Sequence, residues 1–191
     1  MSGPARILVV EDDPDTIDLI ADQLEEAGYE LAFARDGEEA ILKTGGGPPD
    51  LVIMDYMMPR LDGLETTRYF KARFQDCFVP VMMLTAKGDP DSVAEGIRMG
   101  ADEYTTKPYR AAELRDRIAR LLVLKGTEDA LLDGSDAEAA GALIDTRLQM
   151  ALEFRERGLF SLARRYLERN TEVRPDHPAS LELLESLGGR D

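Results

Sequence analysis

Short apolar runs alternate with helical repeats along the first 124 residues. Arg6–Val10 (RILVV) is a β-branched run and predicts a buried strand. Asp13 followed by Pro14 has the form of an N-cap with proline in the first turn. Ile17, Ile20, Ala21 and Leu24 then recur at helical spacing, and Gly28 ends that helix. Glu30–Ala34 predicts a second strand and Gly37–Lys43 a short helix, closed by a flexible glycine-proline stretch at 45–49. Leu51–Asp55 predicts strand three and Gly63–Phe74 a helix. Val79–Leu84 predicts strand four, with Pro80 near its start, and Asp89–Met99 a helix stopped at Gly100. Glu103–Thr106 predicts strand five, and Ala111–Leu124 carries Leu114, Ile118, Leu121 and Leu122 on one helical face. Five βα units in this order predict an α/β fold: a five-stranded parallel sheet, doubly wound, with helices on both faces. Such sheets bind ligands outside the carboxyl ends of their strands.

The pattern changes after Lys125. Residues 126–143 are acidic and small, and predict a linker or a frayed helix. Ile144–Arg157 and Ser161–Val173 are helical, separated by Gly158, and Pro178–Leu187 is a last short helix. The chain thus divides into 1–125, 126–143 and 144–191, the last a small all-α extension.

Charge and composition narrow the chemistry. The 191 residues carry 23 Lys plus Arg against 38 Asp plus Glu, a net charge of −15. A duplex-binding protein needs clustered cations to displace counterions from phosphates, so direct nucleic-acid binding is not expected. No apolar run is long enough for a membrane span, and the N-terminus lacks a signal-peptide pattern; a cytoplasmic protein is expected. One cysteine, Cys77, excludes an internal disulfide, and one histidine, His177, excludes multi-histidine zinc sites. His177 itself is expected in a solvated loop. The methionines, Met57 among them, are expected as core or near-core filler, and Cys77 as a small buried hydrophobe.

The residues at the strand ends carry the signal. Glu11 and Asp12 follow strand one, Asp55 ends strand three, Thr85 follows strand four, and Lys107-Pro108 follows strand five. A parallel sheet brings all of these to one edge. Clustered carboxylates repel one another and favour a hard divalent cation, for which Mg²⁺ fits. An aspartate can attack phosphorus to form an acyl phosphate, and the transferring group needs positive charge around its oxygens. Lys107 supplies one such charge. Asp13 alone is most simply the helix N-cap.

VVEDD at the first strand, LVIMDYMMP around Asp55, MLTAKGD around Thr85 and GADEYTTKPY around Lys107 occur in order. Together they resemble the receiver domain of two-component response regulators, over about residues 5–125. The resemblance implies a flavodoxin-like receiver fold. It implies Asp55 as phosphoacceptor, with Glu11, Asp12, Asp55 and the Met57 carbonyl as Mg²⁺ ligands. It further implies Thr85 and Lys107 as phosphate contacts, Tyr104 as an aromatic switch residue that turns inward on phosphorylation, and a cis Lys107-Pro108 bond. A histidine kinase or phosphotransfer protein is the implied phosphoryl donor. Asp102, Glu113 and Arg117 match a subfamily that dimerises through its fourth and fifth helices, whereas Val93 stands where those members carry a basic residue.

Phe160, Ala163, Leu167 and Pro175, with Gly158, stand at spacings similar to a tetratricopeptide repeat over roughly Ile144–His177. One such hairpin cannot bury its own apolar face, so cover from the last helix, the receiver, a homodimer or a partner protein is expected. Three functions compete. The first is a phosphorylation-controlled switch with a protein–protein output, which is not an enzyme. The second is a constitutive scaffold or adaptor whose receiver does not switch. The third is an aspartate-based phosphatase, disfavoured because Met57 stands where a second acid is needed.

Overall fold

The computed structural model describes residues 3–133 and 138–188. The chain forms two compact units, Met1–Lys125 and Gly126–Asp191.

The first unit alternates strand and helix as the pattern requires. Its strands are β1 (Arg6–Val10), β2 (Glu30–Ala34), β3 (Leu51–Met54), β4 (Val81–Thr85) and β5 (Glu103–Thr106). They pair in parallel in the order β2-β1-β3-β4-β5. The order reverses at β1/β3, the switch point of a flavodoxin-like sheet. Every residue of β3 and β4 is buried, so both faces of the sheet centre are covered. The helices are α1 (Pro14–Glu25), α2 (Gly37–Lys43), α3 (Gly63–Arg73), α4 (Pro90–Met99) and α5 (Ala111–Asp133).

The helix starts follow from local chemistry. Asp13, Asp36, Asp62 and Asp89 each accept a backbone N–H three residues on, capping α1 to α4. Asp13 also accepts from the Thr16 hydroxyl at 2.5 Å, which lowers its carboxyl below the usual range. That is the cap expected of Asp13. Pro80 lies just outside β4, where its missing N–H costs no ladder bond. The glycine stretch after α2 closes in a single 3₁₀ turn, Thr44–Gly46.

One expectation fails here. Met57 is 60% exposed and is not core filler. Asp102 is buried and accepts from Val81 N–H at 2.8 Å and from Lys71. Arg117 is buried likewise between Glu103, at 3.0 Å, and Glu113. Asp102 and Arg117 thus each make ion pairs within the unit.

The second unit begins in the same helix. Residues 126–133 continue α5, the helical one of the two alternatives expected there, and α6 (Ala139–Glu156) starts earlier than its apolar pattern predicts. Leu131 and Leu132 are strong helix formers, and alanines fill 139, 140 and 142, so the small-residue composition is helical here. Of the expected linker, residues 134–137 lie outside the described residues. Gly158, at φ 75°, turns the chain into α7 (Phe160–Val173), and α8 (Pro178–Ser186) follows. Phe154 and Tyr166 pack with ring centroids 5.5 Å apart in a core with Leu143, Ile144, Leu162 and Leu167. Leu183 and Leu187 complete that core, so the last helix supplies cover for the hairpin.

His177 lies in the loop before α8, as expected, but is half-buried. It is the N-cap of α8, and its Nδ1 accepts the Ser180 N–H at 3.4 Å and lies 2.9 Å from the Ser180 hydroxyl.

Candidate functional site

The sheet ladder places the site residues. One further bond extends each strand: Glu11 N–H to Ala34 O at 2.9 Å, Asp55 N–H to Val10 O at 2.9 Å, and Lys107 N–H to Thr85 O at 2.8 Å. Each residue is thus held in sheet register at the carboxyl edge, one step beyond its strand.

These bonds bring the acids together. Glu11, Asp12 and Asp55 each offer a carboxylate oxygen, all within 4.8 Å of one another. Glu11 and Asp55 are buried and Asp12 is exposed. Three such oxygens on one edge suit a hard cation, and the donor set contains no nitrogen or sulfur ligand. Lys107 Nζ lies 2.6 Å from Glu11 Oε2 and 3.7 Å from Asp55 Oδ1. It partly neutralises the acids and stands beside Asp55. Burial pushes the Glu11 carboxyl above its ordinary range, while its bond from Lys107 acts the other way.

The loop after β3 is shaped by a close approach. A side chain at Gly63 would overlap the Asp55 carbonyl oxygen, and Gly63 N–H donates to Tyr56 O at 3.1 Å. Only glycine permits α3 to start this near the acid. Met57 lies in this loop, two residues past Asp55, as the resemblance requires.

Thr85, buried at the end of β4, accepts Lys87 N–H at 3.2 Å through its hydroxyl oxygen. Tyr104 is 2% exposed, and its hydroxyl donates to Lys87 O at 2.6 Å. Its ring fits because position 96 is glycine: a Cβ there would stand 3.0 Å from the Tyr104 ring. Burial drives the Tyr104 phenol far above its ordinary range. The inward seat expected to follow phosphorylation is the one Tyr104 occupies in this structure. The Lys107-Pro108 bond is cis.

Two contributors escaped the sequence pattern. Lys87 touches both Thr85 and Tyr104 through its backbone, so no side-chain signal could mark it. The Tyr56 hydroxyl donates to Glu95 of α4 at 2.8 Å, linking the residue after Asp55 to that helix. Only the fold brings these two positions, 39 apart, together.

Comparison with known proteins agrees with this geometry. The family model of the response regulator receiver domain matches residues 7–119. The alkaline phosphatase synthesis transcriptional regulatory protein PhoP of Bacillus subtilis is 39% identical over 117 residues, covering 61% of this chain and 48% of that protein. The phosphate regulon transcriptional regulatory protein PhoB of Pseudomonas aeruginosa is 36% identical over 139 residues, covering 73% and 59%. The chain thus spans about half the length of the curated relatives it matches. Among solved structures, the signal receiver domain of a histidine kinase from Syntrophus aciditrophicus is 36% identical at TM-score 0.57, covering 62% of this chain and 89% of that one. The chemotaxis response regulator CheY4 of Vibrio cholerae is 31% identical at TM-score 0.58, covering 62% and 98%. The family match, the sheet order and the acidic edge coincide over one stretch, and through it the chain belongs to the response regulator receiver domain family of two-component systems.

Proposed function

We propose that this chain is a phosphorylation-controlled switch and not an enzyme acting on an external ester. Asp55 accepts a phosphoryl group from a phosphohistidine on a histidine kinase or phosphotransfer protein. An Asp55 carboxylate oxygen attacks phosphorus, and a P–O bond forms as the P–N bond breaks. The departing imidazole keeps the electron pair and takes up a proton. The observation that carries this reading is the convergence of Glu11, Asp12 and Asp55 within 4.8 Å, with Lys107 3.7 Å from Asp55.

Each side chain has a role. Lys107, held by Glu11, presents an ammonium to the phosphoryl oxygens, and the Thr85 hydroxyl donates to one of them. Mg²⁺ held by Glu11, Asp12, Asp55 and the Met57 carbonyl would add positive charge to that same oxygen cluster. A phosphoryl oxygen that draws Thr85 away from Lys87 N–H also acts on the segment that holds Tyr104. Output then passes through protein–protein contacts. The phosphatase reading lacks support, since exposed Met57 offers no acid or base two residues past Asp55.

The test is acetyl phosphate, or beryllofluoride, with Mg²⁺. Wild-type chain is expected to incorporate one phosphoryl group and to shift the backbone signals of Thr85 and Lys87, while Asp55→Asn does neither. No incorporation by wild type, or equal incorporation by the variant, ends the proposal. The inward seat of Tyr104 favours one second reading, a scaffold whose receiver accepts phosphate without switching. Incorporation with unchanged Thr85, Lys87 and Tyr104 signals would establish it.

The cation has a pH signature. Because burial raises the Glu11 carboxyl, the folded chain binds that proton more tightly than the unfolded chain does. Ionised Glu11 therefore costs stability as pH rises through its raised range, and a cation among the acids relieves that cost. Thermal scans with and without Mg²⁺ are expected to show a stabilising shift at neutral pH that shrinks as pH falls toward the carboxylate range. A shift of constant size would count against Glu11 as part of the cation site.

A further inference from the structure

The second unit carries a groove that the receiver chemistry does not use. α8 packs on α7, and a cavity of about 260 Å³ opens between α6 and α8. Leu148 and Leu152 of α6 and Leu183 of α8 give it an apolar floor. Its two walls differ in sign: Arg155 stands on the α6 side and Glu182 on the α8 side. Among the described residues neither side chain makes an ion pair. Ala179 and Ser186 flank Glu182 at helical spacing, so the α8 wall is low enough for another helix to approach closely.

A ligand of one charge fits this groove poorly. An acidic segment meets Glu182, and a basic one meets Arg155. A surface with one cation and one anion on either side of an apolar strip is complementary to itself under a two-fold rotation. We propose that a second copy of this chain occupies the groove. The α8 helix of each copy lies against the leucine floor of the other, with Glu182 of each copy opposite Arg155 of the other. The pairing uses no residue of the Asp55 edge and stands whether or not Asp55 is phosphorylated.

Sedimentation velocity on the full chain tests this. Wild type is expected to dimerise. Arg155→Glu or Glu182→Arg alone sets like charges opposite each other twice per dimer, and is expected to weaken association by roughly a hundredfold. Combining both substitutions restores opposite charges and is expected to restore the dimer. Arg155 is half-buried and Glu182 exposed, and circular dichroism is expected to show each variant folded. A monomeric wild type overturns the proposal and leaves the groove to a different molecule. A dimer indifferent to the single reversals, or a double reversal that stays monomeric while folded, overturns it as well.

Discussion

Glu128→Ala is expected to unfold the C-terminal helical unit. Glu128 is 8% exposed and accepts from Arg147 at 2.6 Å and Arg169 at 3.0 Å. Arg147 is itself 3% exposed, and its second amino group donates to Arg169 O at 2.9 Å. Burial pulls the Arg147 guanidinium below its ordinary range, and Glu128 is the main influence holding it up. Alanine at 128 leaves buried Arg147 without the carboxylate it pairs with. Breaking a buried pair in this way costs about 3–5 kcal/mol. A unit of this size has roughly 3–10 kcal/mol in total, at typical stability per residue. Circular dichroism should lose the helicity of α6 to α8, and limited proteolysis should release a receiver-sized fragment. Wild-type helicity and protease resistance in the variant would show that the clamp is dispensable. A fragment that begins at residue 144 lacks Glu128 and is expected to fail for the same reason.

Lys107→Ala is expected to slow phosphorylation of Asp55 by roughly two to three orders of magnitude, the cost of removing one preorganised charge from a phosphoryl-transfer site. The ammonium lies 3.7 Å from Asp55 Oδ1 before any phosphate arrives, so its loss removes charge already aimed at the reaction. Glu11 loses its 2.6 Å partner at the same time. Its carboxyl, already raised by burial, rises further, because the influence opposing burial is gone. Lys107→Arg keeps the charge with different reach and is expected to fall between. Initial rates with acetyl phosphate on a phosphate-affinity gel give the comparison. A rate for Lys107→Ala within a few-fold of wild type would remove Lys107 from the mechanism.

The receiver's architecture and site edge were visible in the residue pattern because both rest on short-range rules. Caps such as Asp13-Pro14, the period-free run of β1 and the acids just beyond β1 and β3 each appear in a window of a few residues. Parallel pairing then brings distant windows to one edge, so Asp55 and Lys107 meet without any local sign that they do. The contacts that stayed hidden depend on packing or on backbone atoms. Tyr56 reaches Glu95 only because α4 lies across the sheet, and Tyr104 finds its acceptor in a carbonyl, which any residue could supply. The stretch from 126 to 143 left a linker and a helix both open for a different reason. Gly126 and Gly141 look like breaks, but neither meets a neighbour that a side chain would disturb, and α5 and α6 pass through them. Met57 misled because an apolar residue in a loop shares its composition with the core and not its burial.

His177 is the chain's one histidine, and it stands at the start of α8, where its Nδ1 faces Ser180. Asn170 donates to Ile144 O at 3.0 Å and to the Ser180 hydroxyl at 3.2 Å, and that hydroxyl lies 2.9 Å from Nδ1 of His177. A nitrogen spectrum of the whole chain therefore holds a single imidazole pair, free of overlap, and its Nδ1 resonance reports whether the first turn of α8 is closed.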